Sequence, residues 1–417
     1  MCSMRLFPLF LLLALVALMS ACAPTLTAPL GDPQRPYEPE RPPQVGDILH
    51  NPTGFYVDEE AMLNAAADAR IVYVGETHDN PAAHRVQLQV IQALAARHPG
   101  QVAIGMEMFV PAQQEVLDRW VAGELSEKEF LRESRWHEVW RMDFALYRDI
   151  LLLARDQGIA VIGLNAERSL VRQLSLHAPD ALPDEVRAAL PEMDMDDPYQ
   201  RALIEAIFAG HEAGRGGLEG FVRVQTLWDE TMADNIVRYL ADPANARHRM
   251  VVLAGGNHVR FGFGIPRRVF RRLPTSYLII GSKEIHIPPD KQDRLMDVDI
   301  PHFPMPPYDF TVFTEYEDLP APPVKLGVLL ENAPTGVGVA GVMPDSPAAR
   351  AGIEKGDVLL EMDGTELQES FDVIYLVRRK QPGDTAHLRI LRDGTEVEAK
   401  VDFFIPEENE QPMTRDK

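Results

Sequence analysis

The spacing of hydrophobic positions changes several times along the chain, and each change marks a segment of different character. Residues 6–19 form an unbroken apolar run behind Arg5, followed by the small residues Ser20 and Ala21 and then Cys22. A basic residue, a short apolar core and small residues before a cleavage point predict a secretory signal over residues 1–21. The run is shorter than the roughly 20 residues that a membrane-crossing helix needs. Residues 22–45 lose all periodicity and fill with proline and polar side chains, which predicts an extended tether. From Gly46 onward, short apolar runs alternate with longer amphipathic ones. Residues 71–74, 102–106, 160–164, 250–254 and 277–280 read as strands, several of them buried on both faces. Between the first two, Asn80 is placed to cap a helix with Pro81 in its first turn, and Pro99-Gly100 stops that helix after His98. The alternation predicts an α/β domain over residues 46–318, with a mostly parallel sheet flanked by helices.

Within that domain, residues 166–220 are helical but interrupted, with an acidic run at 192–197 and the flexible Gly214-Arg215-Gly216-Gly217. Such an insertion reads either as a lid over a crevice or as a surface excursion. Residues 220–240 predict one long helix, and residues 309–316 a further strand joining the sheet edge, before a boundary at 318–323. The tail, residues 405–417, is acidic and reads as disordered.

Charge and cysteine usage narrow the picture. A net charge of -22 argues against broad nucleic-acid binding and against lying flat on anionic lipid. The two cysteines are Cys2, inside the signal, and Cys22. A chain cut before Cys22 keeps a single thiol, which excludes a disulfide within the mature chain and a cysteine metal site. Met19-Ser20-Ala21-Cys22 resembles the lipobox of bacterial lipoproteins, with Met where Leu is commoner. That resemblance implies a lipid on Cys22 and membrane attachment. The absence of aspartate at Ala23 implies the outer membrane, facing the periplasm.

Chemically capable residues fall just past the strand ends. Gly75-Glu76-Thr77-His78 follows the first strand, Glu107 the second, Asn165 the third and Gly255-Gly256-Asn257-His258 the fourth. In an open parallel sheet those loops converge on one crevice. A lone Glu or His in a loop is more often solvated than functional, but the shared position of these residues shifts that balance. Gln225 and Asp229, four apart on the long helix, share a face and read either as support for the crevice or as a solvent-facing pair.

Several ordered segments resemble the ChaN family of haem-binding uptake lipoproteins. They are residues 72–80 and 105–109, Gly163-Leu164-Asn165-Ala166, residues 225–233, Gly255-Gly256-Asn257-His258-Val259-Arg260 and Gly264-Ile265-Pro266. That family shares a superfamily with the Tiki proteases and the erythromycin esterases, whose Gly-x-x-His element is matched by Gly75 and His78. The resemblance implies two functions. The favoured one is haem capture, with a homodimer enclosing stacked haems as an arrangement it allows. Haem needs an axial ligand, for which His78, His84, Tyr147 and His258 are candidates, although His84 reads equally as a solvated helix position and Tyr147 more readily as part of a core stripe with Trp136 and Trp140. It also needs cations near its propionates, for which Arg85, Arg135, Arg148 and Arg260 are candidates. The other is a metal-dependent hydrolase. There Glu76 or Glu107 acts as general base, and His78, Glu107 and His258 hold Zn, Mn or Fe or shuttle protons. Asn257 and Gly256 offer donors to an oxyanion, or the glycine pair simply serves a tight backbone turn after the strand. The residues alone leave binding and catalysis open.

Residues 324–404 carry Lys325-Leu326-Gly327-Val328, residues 340–348, Ala351-Gly352-Ile353-Glu354-Lys355-Gly356-Asp357 and Met362-Asp363-Gly364. These resemble a PDZ domain of the type attached to periplasmic HtrA proteases, a small β-barrel-like fold. The resemblance implies that Leu326, Gly327 and Val328 present backbone amides to a peptide carboxylate. The following strand and a helix at residues 370–380 would then hold the peptide. Asp393-Gly394, between two alternating runs, predicts a hairpin turn. The alternative is a PDZ fold that only packs on the first domain.

Overall fold

The structure, a computed structural model, describes residues 37–209, 216–289, 300–319 and 324–404. The signal segment, Cys22, the tether as far as residue 36, Gly214 and Arg215 of the Gly214–Gly217 stretch and the acidic tail lie outside these residues. No helix among the described residues is long and apolar enough to cross a membrane.

The chain begins with β1 (Ile48–His50), β2 (Phe55–Val57), α1 (Glu59–Asp68), β3 (Ile71–Glu76), α2 (Pro81–Arg97) and β4 (Val102–Met106). Four helices follow, α3 (Gln114–Val121), α4 (Glu127–Glu133), α5 (Trp136–Val139) and α6 (Ala145–Gln157), leading into β5 (Ala160–Gly163). Next come α7 (Arg168–Leu176), α8 (Asp184–Ala188), α9 (Pro198–Ala209) and the long α10 (Gly217–Ala241). The domain closes with β6 (Arg249–Gly255), α11 (Gly256–Val259), α12 (Ile265–Arg272), β7 (Tyr277–His286) and β8 (Phe310–Glu315).

These strands form one sheet in the order β2-β1-β8-β7-β3-β6-β4-β5. The run from β8 to β5 is parallel throughout, and β1 and β2 add an antiparallel margin. Every residue of β3 is buried, as a strand covered on both faces by helices requires. One face packs on α1 to α6 through residues such as Val72, Ile91, Trp120 and Leu151; the other packs on α10 and α12 through Tyr73, Ile236 and Val269. Asn80 caps α2 by accepting from Ala82 N at 3.0 Å, with Pro81 at its first position, as the sequence predicts. The strand expected at the sheet edge, β8, is instead interior, between β1 and β7. Its five buried residues carry that signal, whereas the three-residue strands β1 and β2 are too short to show a period.

The C-terminal domain is a separate antiparallel sheet. It contains β9 (Val328–Asn332), β10 (Val337–Val342), α13 (Pro347–Arg350), β11 (Val358–Met362), β12 (Thr365–Glu366), α14 (Ser370–Val377), β13 (Thr385–Arg392) and β14 (Thr395–Asp402). The strand order is β14-β13-β11-β10-β9, so among the described residues β9 pairs on one side only. Asp393 and Gly394 turn the β13–β14 hairpin with φ of 49° and 81°, the left-handed pair a two-residue turn demands. Helix α14 ends at Val377, one turn earlier than the sequence reading. It also touches the first domain: Phe371 and Tyr375 pack against that domain's core, and Lys128 pairs with Asp372 at 2.7 Å.

Candidate functional site

Parallel pairing sets Glu76 directly opposite Gly255 and Met106 opposite Leu253, which brings the carboxyl ends of β3, β4 and β6 level. The glycines there sit in close contact with their neighbours. A Cβ at Gly75 would lie 2.8 Å from Val259 Cγ2 and 3.1 Å from Gly256 Cα, and one at Gly255 would lie 3.0 Å from His78 Cε1.

Glu76 is buried at the centre of the cluster. Its Oε1 accepts from the Tyr147 hydroxyl at 2.6 Å and lies 2.7 Å from His78 Nδ1. Its Oε2 accepts from Gln87 Nε2 at 2.6 Å and lies 3.5 Å from His84 Nδ1. Burial pushes the Glu76 pKa up, but His84, His78 and Tyr147 together outweigh it and hold the carboxyl below the usual range. Burial likewise works to lower the His78 pKa, and the bond to Glu76 with the charges of Glu107 and Glu76 raises it to about 9. With Nδ1 held by Glu76, Nε2 of His78 faces the Gly255 and Glu107 side. The His78 side chain is 32% exposed and packs edge-on against Trp140, ring centroids 5.0 Å apart.

A second chain of contacts runs inward. Glu107 Oε2 accepts from Gly255 N at 2.7 Å, and its Oε1 lies 3.6 Å from His258 Nε2. His258 Nδ1 is 2.7 Å from Asp229 Oδ1. Burial opposes charge on His258, and the carboxylates of Glu107 and Asp229 overcome it, so the pKa is raised. Asp229 Oδ2 accepts from Gln200 Nε2 at 2.7 Å, Gln200 Oε1 accepts from Arg268, and Arg268 pairs with Glu230 at 3.1 Å. Asn165 Nδ2 donates to the Glu107 carbonyl at 2.9 Å and steadies the loop after β4.

The fold thus gathers Glu76, His78, His84, Glu107, Tyr147, Asn165, Asp229 and His258 into one cluster. Tyr147 and His84 are buried, with Tyr147 spent on Glu76 and His84 Nε2 3.0 Å from the His78 carbonyl. Arg85 lies apart, paired with Glu317. No hydrogen bond among the described residues ties Gln225 or Asn257 to the cluster. Gln87, Gln200, Arg268 and Trp140 complete the arrangement without having been expected. Gln87 had a readable signal, a polar residue one turn after His84 on the helix face that also carries the apolar Val90 and Leu94. Among the described residues, no group of three or more His, Cys, Asp or Glu side chains is disposed to hold a metal ion.

The insertion after β5 packs against α10 and α12. Its acidic residues Asp194 and Asp197 pair with Arg271 and Arg267 at 3.3 and 3.0 Å. Between α7, α8 and α10 lies a cavity of about 590 Å³, bordered by Asn165, Leu170, Thr231 and Asn235 rather than by the histidines. In the C-terminal domain, Gly327 takes a φ of 81° just before β9, and Leu329 on that strand is 63% exposed.

Residues 62–269 match the family described as haem-binding uptake, Tiki superfamily, ChaN, and residues 324–403 match the PDZ domain. A solved structure of cofacial haem binding to ChaN of Campylobacter jejuni is 18% identical, covers 64% of this chain and 95% of that one, and superposes with a TM-score of 0.49. DegP-like periplasmic serine endoproteases of Hahella chejuensis and Pseudomonas fulva are 39% identical over 72 residues and 43% identical over 68. These matches cover 17% and 16% of this chain, and the chain spans only 15% and 14% of those relatives' length.

Proposed function

From a chain whose first domain belongs to the ChaN haem-binding uptake family of the Tiki superfamily and whose last is a PDZ domain, we propose a cell-envelope protein that captures haem at the Glu76–His78 crevice and a peptide terminus at the PDZ edge. The observation that carries the haem reading is His78. It is a partly exposed imidazole on the rim of an otherwise buried cluster, with Nδ1 fixed by Glu76 and Nε2, which would give up its proton to serve as a ligand, turned to the crevice. An axial ligand needs such a support, because the partner of the second nitrogen sets ring orientation and tautomer. Trp140 beside it supplies apolar surface for a porphyrin edge. Tyr147 serves this reading as the residue that positions Glu76 rather than as a ligand. When bound, haem would supply the iron; the chain supplies the imidazole, the apolar wall and the water-poor floor.

For the C-terminal domain, β9 is an edge strand with one side free among the described residues and α14 lies near it, the arrangement that accepts an added peptide strand. The DegP-like relatives are named periplasmic, which agrees with the signal pattern and with a lipid on Cys22 as the anchor. A homodimer around stacked haems belongs to the same reading.

A second reading, hydrolysis at the same crevice with or without a divalent metal, draws on the Asp229–His258–Glu107 series. There an oriented imidazole faces a carboxylate at 3.6 Å and can move a proton. Titration of the signal-free protein with haem separates the two. A Soret band that is lost in His78→Ala and kept in Glu107→Gln supports capture. No spectral change, together with peptide or ester cleavage abolished by Glu107→Gln, supports hydrolysis.

A further inference from the structure

We propose that Arg260 and Tyr308 form an anion subsite beside the crevice that receives a carboxylate of the bound ligand. The inference deepens the haem reading and takes from it the identity of that carboxylate, a porphyrin propionate.

Four arginines are near enough in sequence to the crevice elements to meet an anion, and the structure separates them. Arg85 is paired with Glu317, Arg135 with Glu138, and Arg148 with Glu127. The Arg260 side chain makes no ion pair or hydrogen bond among the described residues, although its Nε is buried. Leaving a buried charged donor unsatisfied is costly, and a ligand anion would remove that cost.

The backbone holds Arg260 beside Tyr308. Phe261 takes a left-handed φ of 57°, and its N–H donates to the Pro307 carbonyl at 2.7 Å, tying residues 260–261 to residues 307–308. The Tyr308 ring lies on Gly281 of β7, where any Cβ would run into it. Its hydroxyl reaches over Gly256: a Cβ there would sit 3.3 Å from Tyr308 Oη and 4.0 Å from Arg260 Nη2. No hydrogen bond to that hydroxyl occurs among the described residues. The neighbouring glycine, Gly255, faces His78 Nε2 and Glu107 Oε2 in the same way, at 3.1 and 3.6 Å from its Cβ position. Two adjacent glycines therefore leave open a floor with the imidazole on one side and two uncommitted donors on the other. A guanidinium presents a planar fork that matches a carboxylate, and a phenol adds a third donor. A ligand coordinated at His78 would carry its acid group onto Arg260 and Tyr308.

The test compares haem with its dimethyl ester, in which both propionates are neutral, on the signal-free protein and three variants. Wild type is expected to bind haem about ten- to a hundredfold more tightly than the ester, the range of a charge-assisted contact. Arg260→Gln should remove that preference and leave ester affinity unchanged, Arg260→Lys should restore part of it, and Tyr308→Phe should cost about three- to tenfold. Equal losses for haem and ester, or no loss, would overturn the subsite. If neither porphyrin binds wild type, the haem reading fails by itself, and calorimetric titration with glutarate judges the subsite. Saturable binding that is lost in Arg260→Gln supports it, and no binding overturns it. Tyr308→Phe carries either assay should Arg260→Gln not fold.

Discussion

His137 of α5 lies stacked over Phe371 of α14, ring centroids 6.3 Å apart and planes at 23°, so the two domains meet ring to ring. Arg378 and Asp143, paired at 3.6 Å, and Lys128 and Asp372, paired at 2.7 Å, belong to the same contact. Both ring nitrogens of His137 are buried without a hydrogen-bond partner among the described residues. Burial and the nearby Arg378 guanidinium lower its pKa to about 4.

A histidine with a depressed pKa destabilises the fold once acid can charge it. In the unfolded chain His137 takes a proton near pH 6.5; in the folded chain it does so only near 4. The stability it protects is complete above 6.5 and is lost as pH falls from there to about 4. Because the ring is partly exposed, about 1–2 kcal/mol is expected rather than the full value of the shift. Carboxylates titrate in part of that window, so the measurement is a difference. Urea melts of wild type and His137→Phe at pH 7 and pH 4.5 should show a smaller acid loss in the variant. Parallel losses would assign the acid sensitivity elsewhere.

The Phe371 ring and the Lys128–Asp372 pair are the means by which the PDZ domain is held to the first. Asp372 also accepts from Gln368 N and Glu369 N at 3.0 and 3.2 Å, so changing it would damage α14 itself. Lys128→Met combined with Phe371→Ala leaves those bonds intact. Scanning calorimetry should show one transition resolving into two, with about 1–3 kcal/mol of coupling lost. A single unsplit transition at the wild-type temperature would mean that this contact does not join the domains.

The Tyr147 hydroxyl is one of the donors that keep the buried Glu76 ionised. Tyr147→Phe should cost about 1–3 kcal/mol at pH 7, the penalty of an under-bonded buried acceptor. A carboxylate with a lowered folded pKa contributes its stability above the unfolded value of 4.5, and that contribution fades as pH falls through the folded value. The difference between variant and wild type should therefore shrink below pH 4.5 in denaturant melts. A constant difference would point to lost packing instead.

Much of this was readable in the chain because parallel strands are short apolar runs bounded by helix caps, and their carboxyl ends must lie together. That rule alone gathers Glu76, His78, Glu107 and His258. It fails where a partner is distant and its neighbourhood bland. Gln200 reaches Asp229 across 29 positions and Arg268 reaches Gln200 across 68. Tyr308 sits in a proline-rich connection with no period at all. The strands β1 and β2, three residues each, displaced β8 from the edge without leaving a pattern to count. Among the arginines, sequence proximity could nominate four. Only the geometry of acidic neighbours, which no spacing rule contains, separates Arg260 from the three that are neutralised.

Asp229 gives the sharpest separation between the two readings of the crevice, because it acts through His258 and lies away from His78. Its Oδ1 holds His258 Nδ1 at 2.7 Å, and the His258 pKa is raised against the pull of burial. A histidine raised in the fold contributes stability that is fully present below its unfolded value of 6.5 and is lost as pH rises through the folded value. Asp229→Asn removes the charge but keeps the volume and an amide for Gln200. Its destabilisation should be about 2–4 kcal/mol at pH 6 and visibly smaller at pH 9, with the His258 NMR titration moving down. Haem capture at His78 predicts that the Soret band and haem affinity survive this change within about threefold. Proton transfer at His258 predicts a loss of turnover of about a hundredfold or more, with KM little altered, since an unoriented imidazole sits in the wrong tautomer. A variant that folds and loses haem binding would contradict the assignment of His78 as the axial ligand and move that role inward to His258.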